Sequence, residues 1–599
     1  MEVHTTAKTI AAIKLAIIDF LSDHGISAPE VNLERPSDSK HGDIATNAAL
    51  QYGKEIKIDP YDLANCICEY VSAKKLAGIE KVEAVKPGFV NITFSATFYQ
   101  NLVQEIAHSP ETYGRNNSLS NSKWVVEHTS PNPNKAMHLG HLRNNLVGMS
   151  LVRVLEWNGA DVVSDAVDNN RGIAIAKLMW GFLAHMKKEE NIPTDVGYWV
   201  SNSQKWYAPE EKGLLPDIFV TECYVLGESD FKKNKDVENV VRKLAVQWEA
   251  EDKDVRLLWS HVLSYAYEGM NRTLTRLGNH WDKIWHEHEH YQDGKKYVYE
   301  GLEKGIFKKL EDGAVLTNLE QYGLPDTILL KNDGTSLYIT QDIALTALKK
   351  QNYNADKLVW VIGPEQSLAM RQLFAVCEQL GIGKISDFTH VAYGYVGLKA
   401  EGGGFKKMSS RAGTVVLIDD VINEVKVKVA QRLKDNQIDP VNDGVGDRAE
   451  KIALAAVKFN ISKSDRVQDL TFDVEQSIET TGDSGVYILY AYVRTQAILR
   501  KAQNLPSVPD HVDSGLEIDV IKQIAHFPTV VNRAKEDLSA HHIAQYLLEL
   551  CSAFNSWYGK ETILDGSERE GYKLAVTKSV GIVIKNGLAI LGIDTVEEI

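Results

Sequence analysis

Glu127 to Arg143 reads E-H-T-S-P-N-P-N-K-A-M-H-L-G-H-L-R, and its flanks set the expected architecture. It follows a strand-like run, Lys123-Trp-Val-Val-Glu127. After it, Leu142 to Asn158 carries apolar residues at Leu142, Leu146, Met149, Val152 and Leu155, the spacing of a helix. The cluster His138-Leu-Gly-His141 therefore stands where a strand's loop enters a helix N-terminus. Free backbone N–H groups and the helix dipole attract phosphate at such a place. Gly140 lacks the Cβ that would hold an anion away from the two imidazoles. Alone, H-x-G-H reads equally well as a loop with two surface histidines.

A second stretch, Phe405-Lys-Lys-Met-Ser-Ser-Arg-Ala-Gly-Thr414, follows Gly402-Gly-Gly404. A basic, hydroxyl-rich loop with a glycine hinge suits closure over a polyphosphate, although K-M-S-S alone is a weak signal. In this order and separation, the two stretches resemble the "HIGH" and "KMSKS" signatures of class I aminoacyl-tRNA synthetases. S-P-N-x-x-K-x-x-H-x-G-H-L-R-N and Leu337-Tyr-Ile-Thr-Gln-Asp342-Ile-Ala are similar to the arginyl-tRNA synthetase form. The resemblance covers nearly the whole chain and is weaker in its centre than at its ends.

The chain has 599 residues, 44% hydrophobic and 25% charged, enough for several domains with cores of their own. No apolar run approaches the ~20 residues of a membrane span, and the start of the chain has no secretory pattern. Five scattered cysteines read as reduced, buried thiols. A net charge of −15 argues against indiscriminate nucleic-acid binding but leaves room for a local basic track.

The expected class is α/β: a Rossmann-like parallel sheet, an N-terminal α+β domain and a C-terminal helical bundle. Residues 1–110 form the first domain, and its H-G-D-x-A-T-N and K-P-G-F-V-N segments resemble the family's additional tRNA-contacting domain. Residues 111–415 form the catalytic domain, with a largely helical insertion near 181–320. Residues 416–470 connect, and 471–599 resemble the anticodon-binding bundle. Leu337–Thr340 reads as a short strand, with Gln341-Asp342 opening a helix. Asp168-Asn-Asn-Arg-Gly172 departs from the G-D-W-G type of turn many members carry, so the resemblance assigns this loop nothing.

The resemblance implies arginine–tRNA ligation. The arginine carboxylate attacks the α-phosphate of ATP, and the terminal ribose of tRNA(Arg) then takes the arginyl group. A carboxylate is already nucleophilic at neutral pH, so catalysis comes from positioning and from neutralising phosphate charge. The catalytic residues are then His138, His141 and Lys407. Gly140, Met408, Ser409 and Ser410 join them around ATP, which brings Mg2+. The signature runs Pro131, Asn132, Pro133, Asn134, Lys135, Ala136, Met137, His138, Leu139, Gly140 and His141. Arginine falls to Glu127, Ser130, Asn132, Glu287, Tyr338, Asp342 and Gln366. A planar cation with five donors needs a carboxylate fork and an aromatic wall, which Asp342 and Tyr338 supply.

Tyr487, Tyr490 and Arg494 share one helix face, and with Trp557 they are candidate tRNA contacts; bundle packing accounts for them equally well. His286-Glu-His-Glu-His290 tempts towards zinc, but three histidines spaced along a strand splay rather than converge, so no metal site is expected. The expected protein is a cytoplasmic monomer whose partners are tRNA(Arg), L-arginine and ATP, with no membrane. Rival readings are a pantothenate-type ligase of the same superfamily, a class I synthetase for lysine, and a catalytically dead scaffold.

Overall fold

Short runs rich in valine, largely buried, suit a parallel sheet covered by helices on both faces. The computed structural model describes residues 5–36, 39–399, 405–406, 416–441, 447–508 and 515–599. It joins five such runs: β1 (Lys123–Glu127), β2 (Asp161–Asp168), β3 (Lys283–His286), β4 (Lys357–Val361) and β5 (Phe388–Val391). Their order is β5-β4-β1-β2-β3, and every pairing is parallel. Strand order reverses between β1 and β4, so the ligand crevice opens beyond their carboxyl ends. Helix α1 (Leu139–Trp157) leads from β1 to β2, α2 (Ile173–His185) leaves β2, and α3 (Tyr338–Tyr353) precedes β4.

Two residues next to the histidine cluster lock this frame. Asn144 accepts the Thr129 N–H at 2.6 Å and donates to the Val361 carbonyl at 2.8 Å, tying the ends of β1 and β4 together. That bond also fixes Thr129 at φ 55°, a conformation a β-branched residue rarely adopts. Arg143 is 1% exposed. Its guanidinium donates to the carbonyls of Ile461, Asp465, Arg466 and Gln468 at 3.0–3.2 Å. Sequence reading gave neither residue a role.

The chain divides into two compact units. One holds Leu119–Lys428 and Asn460–Gln476, and contains the sheet. Between β2 and β3 it inserts the helices Val196–Ser201, Pro216–Lys233, Lys235–Glu249 and Lys253–Leu277. With α2 these build a core of their own around Phe182, Trp199, Phe219, Trp248 and Leu258. Helix α2 touches Pro216–Lys233 at Gly181 and Gly227, where an added Cβ would lie 1.8 Å and 2.0 Å from a facing carbonyl.

The other unit holds Met1–Ser118, Val429–Phe459 and Ser477–Ile599. A three-stranded sheet of Ile44–Thr46, Phe89–Phe94 and Ile79–Val85 lies in its N-terminal part. The C-terminal part is a bundle of Gly485–Lys501, Ile518–Glu536, His541–Lys560 and Glu570–Ile590. The two parts meet where the buried Tyr113 hydroxyl donates to the Ile524 carbonyl at 2.9 Å and Lys522 pairs with Asp43 at 2.9 Å.

Three expectations need correction. The run from Leu337 is not a strand: only Leu337 is extended, and α3 opens at Tyr338. The β-branched Ile339-Thr340 pair misled: the Thr340 N–H goes to the Leu337 carbonyl at 3.0 Å in the first helical turn, and its hydroxyl to the Leu329 carbonyl at 2.5 Å. Cys66 is exposed, while Cys68, Cys223, Cys377 and Cys551 are buried. Trp557 is 2% exposed and its indole N–H is given to Glu561, so it is a core residue with no free face for a base. Among the described residues, no helix is long and apolar enough to cross a membrane.

Candidate active site

The histidine pair is built by a helix cap. His138 is the N-cap of α1, and its Nδ1 accepts the Gly140 N–H at 3.2 Å. His141 Nδ1 in turn accepts the His138 N–H at 3.2 Å. The two rings stack with centroids 3.9 Å apart. A neutral imidazole whose Nδ1 accepts must carry its proton on Nε2. Burial, then the nearby Lys135 charge, pushes His138 down to about 4. His141 lies well below the ordinary imidazole range, chiefly through burial, with His138 and Lys135 adding to it. At neutral pH the helix N-terminus thus presents two uncharged N–H donors beside a lysine.

Glu127 closes β1 and enters a buried ion cluster. Lys349 on α3 is 1% exposed and lies 2.8 Å from both Glu127 Oε2 and Asp165 Oδ1. The Trp285 indole donates to Asp165 Oδ2 at 2.8 Å. Burial opposes the Lys349 charge, but Asp165 and Glu127 outweigh it and hold the ammonium protonated. Sequence reading missed Lys349, because a lysine near a helix end reads as a solvent residue.

Above this cluster α3 carries Tyr338 and Asp342, one turn apart on one face. Tyr338 is 80% exposed. Asp342 is exposed as a residue, but its carboxyl lies against the protein, with no hydrogen-bond or ion-pair partner among the described residues. The enclosing protein, then the Glu127 charge and, less strongly, the Glu287 charge, push its carboxyl up to about 7. Lys349 opposes them. Glu287, at the end of β3, is 7% exposed and lies 3.4 Å from Arg171 Nη1. The arrangement is an acid-lined slot with one charge uncompensated.

The remaining expected residues divide. Ser130 Oγ accepts the Val167 N–H at 2.9 Å and so also supports the β2 end. Asn132 is exposed, while Pro131, Pro133, Asn134, Ala136 and Met137 are buried beneath the loop. Leu139 is buried, and Lys135 and Gly140 are half-buried. Gln366 is exposed in the short turn after β4, at the same crevice. His286 is bonded to Asp168 at 2.7 Å, and a helical turn then carries Glu287–His290, so the three histidines do not share a strand. Among the described residues no group of three side chains is arranged to hold a metal ion.

Lys407, Met408, Ser409 and Ser410 lie outside the described residues. The chain on either side is placed. Phe405–Lys406 pairs with Leu398 and Lys399. On the far side, Leu417 forms a bridge with His138, the Leu139 N–H reaches the Val416 carbonyl at 3.2 Å, and the Ile418 N–H reaches Met137 at 3.2 Å.

In the other unit, Tyr487 is half-buried and its hydroxyl accepts from Asn555 at 3.0 Å. Arg494 also bonds Asn555, and its guanidinium lies 4.9 Å from the Tyr490 ring and 5.0 Å from the Tyr558 ring. Tyr490 and Tyr558 are exposed, with the half-buried Arg494 guanidinium between their rings; sequence reading did not single out Tyr558.

Comparison with known proteins bears on the family and the fold. The family described as tRNA synthetases class I (R), catalytic domain, matches residues 102–474. The DALR anticodon binding domain matches 488–599, and the arginyl tRNA synthetase N terminal domain matches 7–94. The arginine–tRNA ligase of Bacteroides fragilis is 32% identical over 597 residues, covering 95% of this chain and 96% of that protein. That of Phocaeicola vulgatus is 32% identical over 622 residues, covering 100% and 99%. Among solved structures, Thermus thermophilus arginyl-tRNA synthetase shares the fold at a TM-score of 0.79 and 21% identity, over 98% of this chain and 100% of that one. Arginyl-tRNA synthetase from Plasmodium falciparum shares it at 0.79 and 17%, over 100% of both chains.

Proposed function

The chain belongs to the arginyl-tRNA synthetase family of class I aminoacyl-tRNA synthetases, and from that premise we propose how its site performs arginine–tRNA ligation. The observation that carries the reading is Asp342, a carboxylate left unpaired one helical turn from an exposed tyrosine. Leaving such a charge unmatched costs stability, and a guanidinium supplies what it lacks. Tyr338 orients the planar cation and Glu287 meets it from the side. Glu127, Ser130, Asn132 and Gln366 line the crevice where the α-amino and carboxylate groups of arginine lie.

ATP binds with its phosphates at the N-terminus of α1. Neutral His138 and His141 donate Nε2–H to phosphate oxygens, and Lys135 adds positive charge. Uncharged donors suit this task, since their protonation state does not change as pyrophosphate departs. Lys407 meets the leaving pyrophosphate, and the backbone bonds from Val416–Ile418 to Met137–Leu139 anchor the following chain at the histidines. Magnesium enters with the triphosphate. The arginine carboxylate attacks the α-phosphorus, pyrophosphate leaves, and the tRNA ribose hydroxyl then displaces AMP from the arginyl carbon. Tyr490, Arg494 and Tyr558 give the bundle a surface on which RNA bases stack.

Pyrophosphate exchange with each amino acid, with and without total tRNA, tests the reading. Exchange with arginine and tRNA supports it, exchange with lysine refutes the slot, and silence throughout favours a scaffold. His141→Ala is expected to slow exchange by on the order of 100- to 1000-fold, leaving the arginine KM nearly unchanged.

A further inference from the structure

Arg171 stands in the loop where the sequence departs from the family's usual turn. Gly172 follows it at φ 85°, a left-handed conformation that suits glycine and lets the chain turn sharply into α2. The Arg171 side chain, 10% exposed, reaches back towards the slot. Nη1 lies 3.4 Å from Glu287 Oε1, and Nη2 is paired with Glu249. The guanidinium stacks 3.9 Å from the Tyr291 ring centroid and 5.5 Å from that of Trp248. Glu287 therefore has a resident guanidinium on one side.

We propose that Arg171 is a positioning residue, which fixes the Glu287 carboxylate at the slot and so sets how tightly substrate arginine is held. The proposal rests on the assignment of Glu287 to the substrate guanidinium made above. Two effects of Arg171 compete: its charge repels a cationic substrate, and its bond orients the carboxylate the substrate needs. Glu249 decides between them. Paired with Arg171, it cancels the net charge, so the repulsion is small and orientation remains. The stack on Tyr291 and Trp248 restricts the fork to one geometry, which an ammonium could not hold.

The test uses the full chain in tRNA-supported pyrophosphate exchange. Arg171→Ala is expected to raise the arginine KM by roughly 10- to 30-fold, the scale of a lost hydrogen bond to a charged group. Its kcat and ATP KM should stay within about 2-fold. Arg171→Lys keeps stem and charge but loses the fork, and is expected to lie between wild type and alanine; it serves if alanine misfolds. Glu287→Gln should raise the arginine KM as well, and Arg171→Ala added to it should change little more, because the arginine acts through the glutamate. An unchanged KM in Arg171→Ala beside a raised one in Glu287→Gln overturns the proposal alone, as does a double variant in which the two effects multiply. An unchanged KM in Glu287→Gln overturns the slot assignment and this proposal with it.

Discussion

The buried cluster Glu127–Lys349–Asp165 and the rim carboxylate Asp342 are supplied in part by the same helix, yet they are built on opposite terms. In the cluster two acids share one ammonium at 2.8 Å each, and Trp285 satisfies a further oxygen. It is closed to water and its needs are met within the protein. Asp342 is unpaired and pushed up towards neutral pH. The difference separates framework from site: a carboxylate whose partners are all internal holds strands together, and one left wanting a cation is kept for a ligand. Glu127 lies at the seam, paired below and adding its charge to the field at Asp342.

Breaking the cluster should have the largest effect. Lys349→Met leaves two buried carboxylates without their cation and is expected to cost roughly 3–5 kcal/mol of stability, read as a fall in the urea midpoint. Asp342→Asn should do the opposite to the two properties. The arginine KM rises about 100-fold, the scale of a lost charged pair, with the ATP KM unchanged. The melting temperature at pH 8 is maintained or raised, because a carboxyl raised in the folded state costs stability once pH passes its titration point. A collapse of both would place Asp342 in the framework.

The same raised carboxyl gives a pH signature. Below about 7 it becomes neutral, so kcat/KM for arginine should fall about tenfold per unit on the acid side. Asp342→Asn should lack that limb. The smallest effect is expected of Trp285→Phe, which removes one donor from Asp165: roughly 1.5–2 kcal/mol of stability, the low end for a bond to a charged group, and near-normal exchange kinetics. A large loss of activity there would join the cluster to the chemistry.

Much of this was legible in the sequence, for physical reasons. The histidine cluster sat between a valine-rich run and a helical period, so its place at a helix N-terminus followed from local pattern alone. Asp342 and Tyr338 were legible as a pair, although their common helix was not: Ile339 and Thr340 carry strand propensity, yet they stand in the first turn of a 16-residue helix. Lys349, Asn144, Arg143 and Arg171 were opaque for a shared reason. Each is polar, its role depends on partners that are distant in sequence, and no local period marks it. Trp557 erred the other way, since a large aromatic ring on a helix reads as either core or contact until its neighbours are known.

Arg143 also constrains how the protein comes into being. The carbonyls that receive its guanidinium lie 318 to 325 residues further along the chain. On the ribosome, α1 is synthesised long before anything exists to satisfy that buried cation. A nascent chain halted near residue 430 holds every signature of the nucleotide site and still lacks the residues that complete its frame. Such a fragment should be protease-sensitive and should gain resistance only when residues 460–476 have emerged from the exit tunnel, so maturation of the front half waits on translation of the back.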